Sequence, residues 1–355
     1  MAAIVVMSAG HGGQALAGDL ALCGHEVTLY EHPDFAAKID AINARGRVIT
    51  LGNKISGQGR LRLATTDAAK ALAGAEIIYF TAPSFAQKPF FDLTLPYFED
   101  GQIIVLSPGN YGTFALKRRL AVLGKKVLVG EMDNLPYVCA AIEPGIVDIK
   151  SVKHLALATL PMTDYEAVSS ALKDACVTTW QRGVNVLETS MAGINMVVHC
   201  LPMLMNCGLI DGARDFKFYA EGMPPLVCAA MEEFDRERLA VGAAFGLQLP
   251  GAAQSIRDMY SIPGDSLYEV IRNNAVYAGI AAPKTMWHRF LTEDVPFSLL
   301  PAMDLGRLAG VPTPIMNATF ALCDLVMGGG QAALGHNVEA MGLTGKSVRD
   351  IAELL

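Results

Sequence analysis

A single histidine, His199, interrupts the apolar stretch NMVVHCLPML at residues 195–204. Imidazole titrates nearest neutrality of the common side chains, so a histidine oriented by a carboxylate can take up and release protons in an enzyme. Asn195 lies four residues earlier and on a helix would project from the same face. Pro202, three residues later, is expected to break or kink that helix, because its ring clashes with the Val198 carbonyl. A carboxylate is on offer in HRFLTEDVPFSLLPAMDLGRLAGVPTP, residues 288–314, where Arg289, Glu293 and Asp294 precede a proline and an apolar run. Taken alone, these residues read two ways. His199 fits a packed core position and the acids fit a helix end; equally, the set fits a proton-transfer site beside an arginine whose planar fork suits a carboxylate.

A second group of chemically loaded residues opens the chain. IVVMSAGHGGQALAGDLALCGHEVTLYE runs strand, glycine turn, helix, strand, acid, the order that binds a dinucleotide. Ser8, Gly10, His11, Gly12 and Gly13 form the turn. Gly10 lets the backbone approach a pyrophosphate, Gly13 allows close helix–strand packing, and the helix N-terminus faces the phosphate charge before the helix ends at Gly24. Ser8 stands where the first glycine of G-x-G-x-x-G is expected, and the frame Gly10, Gly12, Ala15 satisfies a relaxed version of the pattern. Glu31, closing the second strand, is placed to accept both ribose hydroxyls and to repel a 2′-phosphate. NAD(H) is therefore preferred, with NADP(H) as the alternative because Arg45 and Arg47 could fold back. TAPSFAQ at 81–87 and SPGNYG at 107–112 follow apolar strands, which makes Thr81, Pro83 and Asn110 neighbours of a cofactor; ordinary β-to-α turns explain both stretches nearly as well.

These residues need elements to hold them. Apolar runs at 3–7, 26–30, 76–82, 102–107, 126–130 and 155–161 alternate with helical stretches, which predicts a parallel sheet covered on both faces. GRVITLGNKISGQGRLRLA, from Gly46, reads as a small hairpin. After Trp180 the texture turns helical, most clearly beyond Pro224-Pro225, where Val227, Ala230, Met231, Phe234, Val241 and Phe245 recur at helical intervals. The charges at 232–238 between them read as a solvated face, with Glu232 and Arg236 paired. The fold class is thus an α/β N-terminal Rossmann-type doubly wound domain, residues 1–183, followed by an all-α C-terminal domain, residues 184–355. The methionines of the helical half, Met191, Met196, Met203, Met205, Met223, Met231 and Met259, read mainly as core and otherwise as lining for a tolerant pocket.

Composition narrows the function classes. With 52% apolar and 18% charged residues in 355, the chain is a folded globular protein of two-domain size. A net charge of −7 gives no electrostatic reason to approach nucleic acid or an anionic membrane, which leaves small-molecule partners. The N-terminus lacks the basic region of a signal peptide, and no apolar run is long enough to span a bilayer. Seven scattered cysteines without C-x-x-C read as reduced core thiols in a cytoplasm, and those flanking His199 lack metal-site spacing, so no metal is expected.

SAGHGGQALAGDLALCGHEVTLYE, SPGNYG, NVLETSMAGINMVVHCLPMLMNCG, GDSLYEVIRNNAVYAGI and the stretch 288–314 together resemble the octopine and nopaline dehydrogenases, the opine dehydrogenase family, over essentially the whole chain. The resemblance implies a nucleotide-binding domain before a helical one, with the active site in the cleft between them. It implies that His199 is the acid–base residue, Asp294 its orienting carboxylate, Arg289 an anchor for the oxo-acid carboxylate and Asn195 a substrate contact. The implied reaction is NAD(P)H-dependent reductive condensation of a 2-oxo acid with the amine of an amino acid through an imine, in a protein that could be a homodimer. The sequence departs from the family at Ser8, at His11, where asparagine is frequent, and in MAGIN. A 2-hydroxy acid dehydrogenase, an imine reductase and, outside the enzymes, a dinucleotide-binding sensor remain as alternatives.

Overall fold

In a computed structural model, residues 1–173 and 178–355 are described; Cys176 falls outside them. The chain divides into two compact units, Met1–Ser190 with Leu354–Leu355, and Met191–Glu353. The division falls seven residues beyond the sequence boundary at 183, and Thr189 and Ser190, the last residues before it, are hydrogen-bonded through their hydroxyls to Glu131 of the first unit.

The first unit carries strands β1 (Ala3–Met7), β2 (Glu26–Tyr30), β3 (Val48–Asn53), β4 (Gly57–Arg60), β5 (Leu63–Thr65), β6 (Ile77–Phe80), β7 (Ile103–Leu106), β8 (Leu128–Met132), β9 (Tyr137–Glu143), β10 (Ile146–Val152), β11 (Leu155–Leu160) and β12 (Trp180–Arg182). Eight of them form one sheet in the order β12-β11-β8-β7-β6-β1-β2-β5. It is parallel from β5 to β8, and β11 then runs antiparallel to β8. Side chains alternate across the sheet as the apolar runs require: Ile4 and Val6 enter one core, Val5 and Met7 the other. Strand order reverses at β1, which has β2 on one side and β6 on the other, so the loops at the carboxyl ends of β1 and β6 diverge and leave a crevice edge there. Helices α1 (His11–Leu22), α2 (Ala36–Ala44), α3 (Ala68–Leu72), α4 (Gln87–Thr94), α5 (Gly112–Val122) and α6 (Tyr165–Leu172) make the connections, and α7 (Val186–Met191) follows β12.

The expected hairpin is present as β3 and β4, paired antiparallel. It belongs to a second sheet, β4-β3-β10-β9, which the sequence reading did not anticipate and which packs on α1. The sequence does not mark β9 and β10 because VCAAIEPGIVDIKSV mixes small, charged and apolar residues: β9 shows no alternation, and in β10 only Val147 and Ile149 alternate as buried residues, too short a run to stand out.

Within the described residues the second unit is built of helices, α8 (Asn195–Met205), α9 (Cys207–Asp211), α10 (Pro225–Ala244), α11 (Ala252–Tyr260), α12 (Leu267–Asn273), α13 (Ala275–Ala278), α14 (Arg289–Thr292), α15 (Leu300–Ala309), α16 (Pro314–Val326), α17 (Gln331–Leu334) and α18 (Val348–Ala352), with a π-helical turn at Val295–Leu299. Its core gathers Met203, Phe218, Met231, Phe234, Leu291, Leu299 and Met316. Most of the methionines singled out above are fully buried here; Met205 and Met259 are exposed. No helix is long and apolar enough to cross a membrane among the described residues.

Two expectations need correction. The charged run of α10 is not merely a solvated face: Arg238 is completely buried, donates to Asp235 at 2.7 Å and to the carbonyls of Met191 and Pro250, while Glu237 accepts from the N–H groups of Ile315 and Met316. Arg236 pairs with Glu233, and Glu232 accepts from Leu267 N–H. Periodicity identifies the face a residue occupies but not what packs upon it. Pro202 does not end its helix either, for α8 runs three residues past it to Met205, held in place by the surrounding core.

Candidate active site

At the carboxyl end of β1 the backbone turns into α1. Ser8 has φ 92°, a conformation that favours glycine, which explains why the first position of this turn is ordinarily a glycine. The serine adopts the glycine geometry and its Oγ accepts from Gly10 N–H at 3.2 Å. Gly10 is the N-cap and His11 the first helical residue, so the frame Ser8, Gly10, Gly13 is the structural one and the frame beginning at Gly10 is not. A Cβ on Gly13 would overlap the Ser8 carbonyl oxygen, so helix and strand approach here only because that position is glycine. The first turn of α1 carries no acidic residue and no side-chain cap, leaving its N–H groups oriented for an anion. His11 is exposed, and its Nδ1 accepts from Ala141 N–H at 2.7 Å, tying the turn to β9.

Glu31 follows β2 and is 2% exposed. Its two oxygens accept from Ala9 and His32 N–H, each at 2.8 Å, with Lys38 Nζ 3.7 Å away. Each carboxylate oxygen has a second lone pair, so ribose hydroxyls can still be accepted. Arg45 is paired with Glu143 at 2.9 Å and Arg47 donates to the Arg62 carbonyl, so neither folds back toward Glu31. Thr81 binds the Met7 carbonyl through its hydroxyl at 2.9 Å, at the point where strand order reverses; Pro83 precedes a 3-10 turn, and Asn110 Nδ2 donates to Ser84 Oγ at 2.8 Å. The residues present therefore fit a dinucleotide: an uncapped helix N-terminus, a glycine cradle and an acid at the second strand's end.

The second unit brings together residues almost a hundred positions apart. His199 on α8 and Asp294, between α14 and the π-helical turn, meet with Nδ1 and Oδ2 2.7 Å apart; they are 8% and 4% exposed. The carboxylate assigns the Nδ1 proton, which leaves Nε2 for proton exchange. Nε2 lies 3.0 Å from Tyr219 Oη, and the imidazole is stacked on Phe290 at 3.7 Å and 10°. Tyr219 is in turn stacked on Tyr277 at 4.2 Å. Three groups from two separate segments thus fix the ring: a carboxylate on one nitrogen, a phenol on the other, an aromatic face against the plane.

Tyr219 and Phe290 were not singled out from the sequence. Phe290 had a signal, since it lies between Arg289 and Asp294, whereas Tyr219 sits in DFKFYAEG with no spacing to mark it. Arg289 is 64% exposed on its side chain and donates to Glu293 Oε2 at 2.8 Å, one residue from the phenylalanine that faces the histidine. Asn195 is exposed at the start of α8, one helical turn before His199. His288 caps α14 through Nδ1, and burial, then the proximity of His199 and Arg289, holds its imidazole below the usual range. Cys200 is buried, with its thiol pushed well up by desolvation and then by Asp294, so it stays protonated. The cysteines are less uniformly core than expected: Cys23 is exposed and Cys139 and Cys207 are half-buried.

Residues 183–327 match the family described as NAD/NADP octopine/nopaline dehydrogenase, alpha-helical domain. The opine dehydrogenase of Arthrobacter sp. (strain 1C) is 30% identical over 353 residues, covering 98% of this chain and 96% of that one. The vitopine synthase of Allorhizobium ampelinum is 24% identical over 362 residues, covering 100% and 99%. Among solved structures, an octopine dehydrogenase with NADH and L-arginine has a TM-score of 0.82 at 21% identity, covering 99% of this chain and 98% of that one. A PanE/ApbA family ketopantoate reductase from Ralstonia eutropha reaches 0.61 at 18% identity, covering 94% and 99%. These structures agree in fold, an α/β nucleotide-binding half followed by a helical half, and the extent of the sequence match settles the family: this chain belongs to the opine dehydrogenases.

Proposed function

We propose that the protein catalyses the reductive condensation of a 2-oxo acid with the amine of an amino acid, and its reverse, with His199 as proton carrier and Asp294 as its orienting carboxylate. The observation that carries this reading is the buried pair at 2.7 Å, whose second nitrogen is kept in hydrogen-bonding use by Tyr219. Neutral His199 removes a proton from the substrate ammonium so that the amine can attack the keto carbon. The imidazolium, stabilised by Asp294, returns that proton to the hydroxyl of the adduct, which leaves as water and yields the protonated imine. A bound NADH or NADPH supplies the hydride that reduces the imine carbon. Tyr219 Oη can donate to the neutral ring and accept from the charged one, so it holds the ring in either state until substrate takes its place.

Arg289, partly neutralised by Glu293, is available to a substrate carboxylate, and Asn195 lies on the same helix face as His199. Ser8, Gly10, His11, Gly12 and Gly13 form the phosphate cradle, with Glu31 toward the ribose and Thr81, Pro83 and Asn110 bordering the cofactor. NAD(H) is the preferred cofactor, since Arg45 and Arg47 are engaged elsewhere. A reducing cytoplasm suits the free thiols of the described cysteines, and gel filtration would reveal a homodimer.

The test is NADH and NADPH oxidation with pyruvate or glyoxylate, with and without a panel of amino acids. Oxidation that needs both oxo acid and amine supports the proposal. Oxidation with oxo acid alone transfers the assignment to a 2-hydroxy acid dehydrogenase, and cofactor binding without turnover on any pair points to a sensor.

A further inference from the structure

Glu131, in β8, is fully buried, and no step above uses it. Its Oε1 accepts from the hydroxyls of Ser190 at 2.7 Å and Thr189 at 2.5 Å, and its Oε2 from that of Thr113 at the start of α5. No salt bridge reaches it among the described residues; Asp133 is the charged neighbour that acts on it. Burial pushes this carboxyl up to about 7 against the three hydroxyl bonds, and Asp133 adds to the rise. A group so costly to bury calls for a structural return.

That return is found in the loop 107–112. Ser190 has one hydroxyl proton, and because Glu131 takes it, the serine oxygen is turned to accept Tyr111 N–H at 2.8 Å. Asn110 and Tyr111 have φ of 47° and 63°, two consecutive left-handed residues that are not glycine, a conformation that persists only when held from outside. Gly109 lies directly against the carboxyl, where a Cβ would overlap it. On the other side Gln87 Nε2 donates to the Gly109 carbonyl at 2.9 Å. The loop is therefore clamped between Gln87 and the Glu131–Ser190 pair, and Thr189 and Ser190 are the last residues of the first unit.

We infer that Glu131 is a positioning residue for cofactor binding, which through the Ser190 hydroxyl holds the strained Asn110–Tyr111 backbone where it borders the nicotinamide dinucleotide. The inference rests on reading the first unit as the nucleotide-binding half. Its test is fluorescence titration of NADH into the full-length wild type and into Glu131→Ala, Ser190→Ala and Glu131→Gln, with circular dichroism to confirm folding. The glutamine keeps a carbonyl for Ser190 and Thr189 and offers an amide N–H to Thr113 Oγ1, so the clamp survives without the charge.

Glu131→Ala should raise the NADH Kd about tenfold or more and Ser190→Ala several-fold, while Glu131→Gln stays within about twofold of wild type. If the alanine at 131 does not fold, the serine variant and the glutamine rescue carry the test. Wild-type affinity in a folded Ser190→Ala or Glu131→Ala would overturn the inference, as would a glutamine variant as weak as the alanine. A wild type that binds neither NADH nor NADPH would overturn it together with the nucleotide reading, an outcome distinct from intact binding that is indifferent to Glu131.

Discussion

Replacing Asp294 by asparagine removes one negative charge from the histidine pair while leaving its shape nearly unchanged. Nδ1 and Oδ2 are 2.7 Å apart and both side chains are buried, so water is poorly placed to replace the lost charge. An asparagine amide that donates to Nδ1 also forces the ring proton to Nε2, the nitrogen that must be free to accept a proton. Leaving one member of such a buried pair without its partner costs roughly 3–5 kcal/mol, felt here when the imidazolium forms. At about 1.4 kcal/mol per decade, kcat should fall by roughly 10²- to 10⁴-fold. NADH affinity should change by less than about twofold, since the residues assigned to the dinucleotide all lie in the first unit. The assay is steady-state NADH oxidation at saturating oxo acid and amine, beside fluorescence titration of NADH. A variant that turns over within about threefold of wild type would refute the assignment of Asp294 as the group that orients and stabilises His199.

Two further outcomes follow from the first unit. Ser8 at φ 92° keeps one Oγ bond to Gly10 N–H, so Ser8→Ala retains the strain without the bond, and Ser8→Gly should stand about 1 kcal/mol above it, seen as roughly 2–4 °C in melting temperature; equal melting points would refute the strain. Glu131, raised from 4.5 to about 7 by burial, binds more protons folded than unfolded between those values, so its contribution to stability is present below pH ~4.5 and is lost as the pH rises through ~7. Removing this ionisation with Glu131→Gln should improve stability relative to wild type by about 3 kcal/mol between pH ~4.5 and ~8, on the order of 6–12 °C in melting temperature, and parallel melting profiles would exclude it.

The alternation of apolar strands and helices, the glycine turn and the switch to helical spacing after Trp180 were legible because local periodicity reports which face is buried. The second sheet was not, because β9 carries no regular alternation and the alternation of β10 covers only Val147 to Lys150. Ser8 read as a departure from a glycine pattern; only the backbone angle shows it to occupy the glycine conformation. In the same way the charges of α10 lie on the helix as the sequence implies, yet Arg238 and Asp235 are buried because another segment of the unit covers them.

By itself the sequence determined two halves, a nucleotide-type turn and a histidine with candidate carboxylates, and its resemblance selected Asp294 among them. Tertiary structure decided which atoms meet. His199 and Asp294 are joined across almost a hundred residues, Tyr219 closes the second nitrogen, and Ser190 reaches back to Tyr111 across nearly eighty. Hydrogen-bond geometry between segments so far apart is set by how whole elements pack, and residue type and local spacing carry no record of that distance.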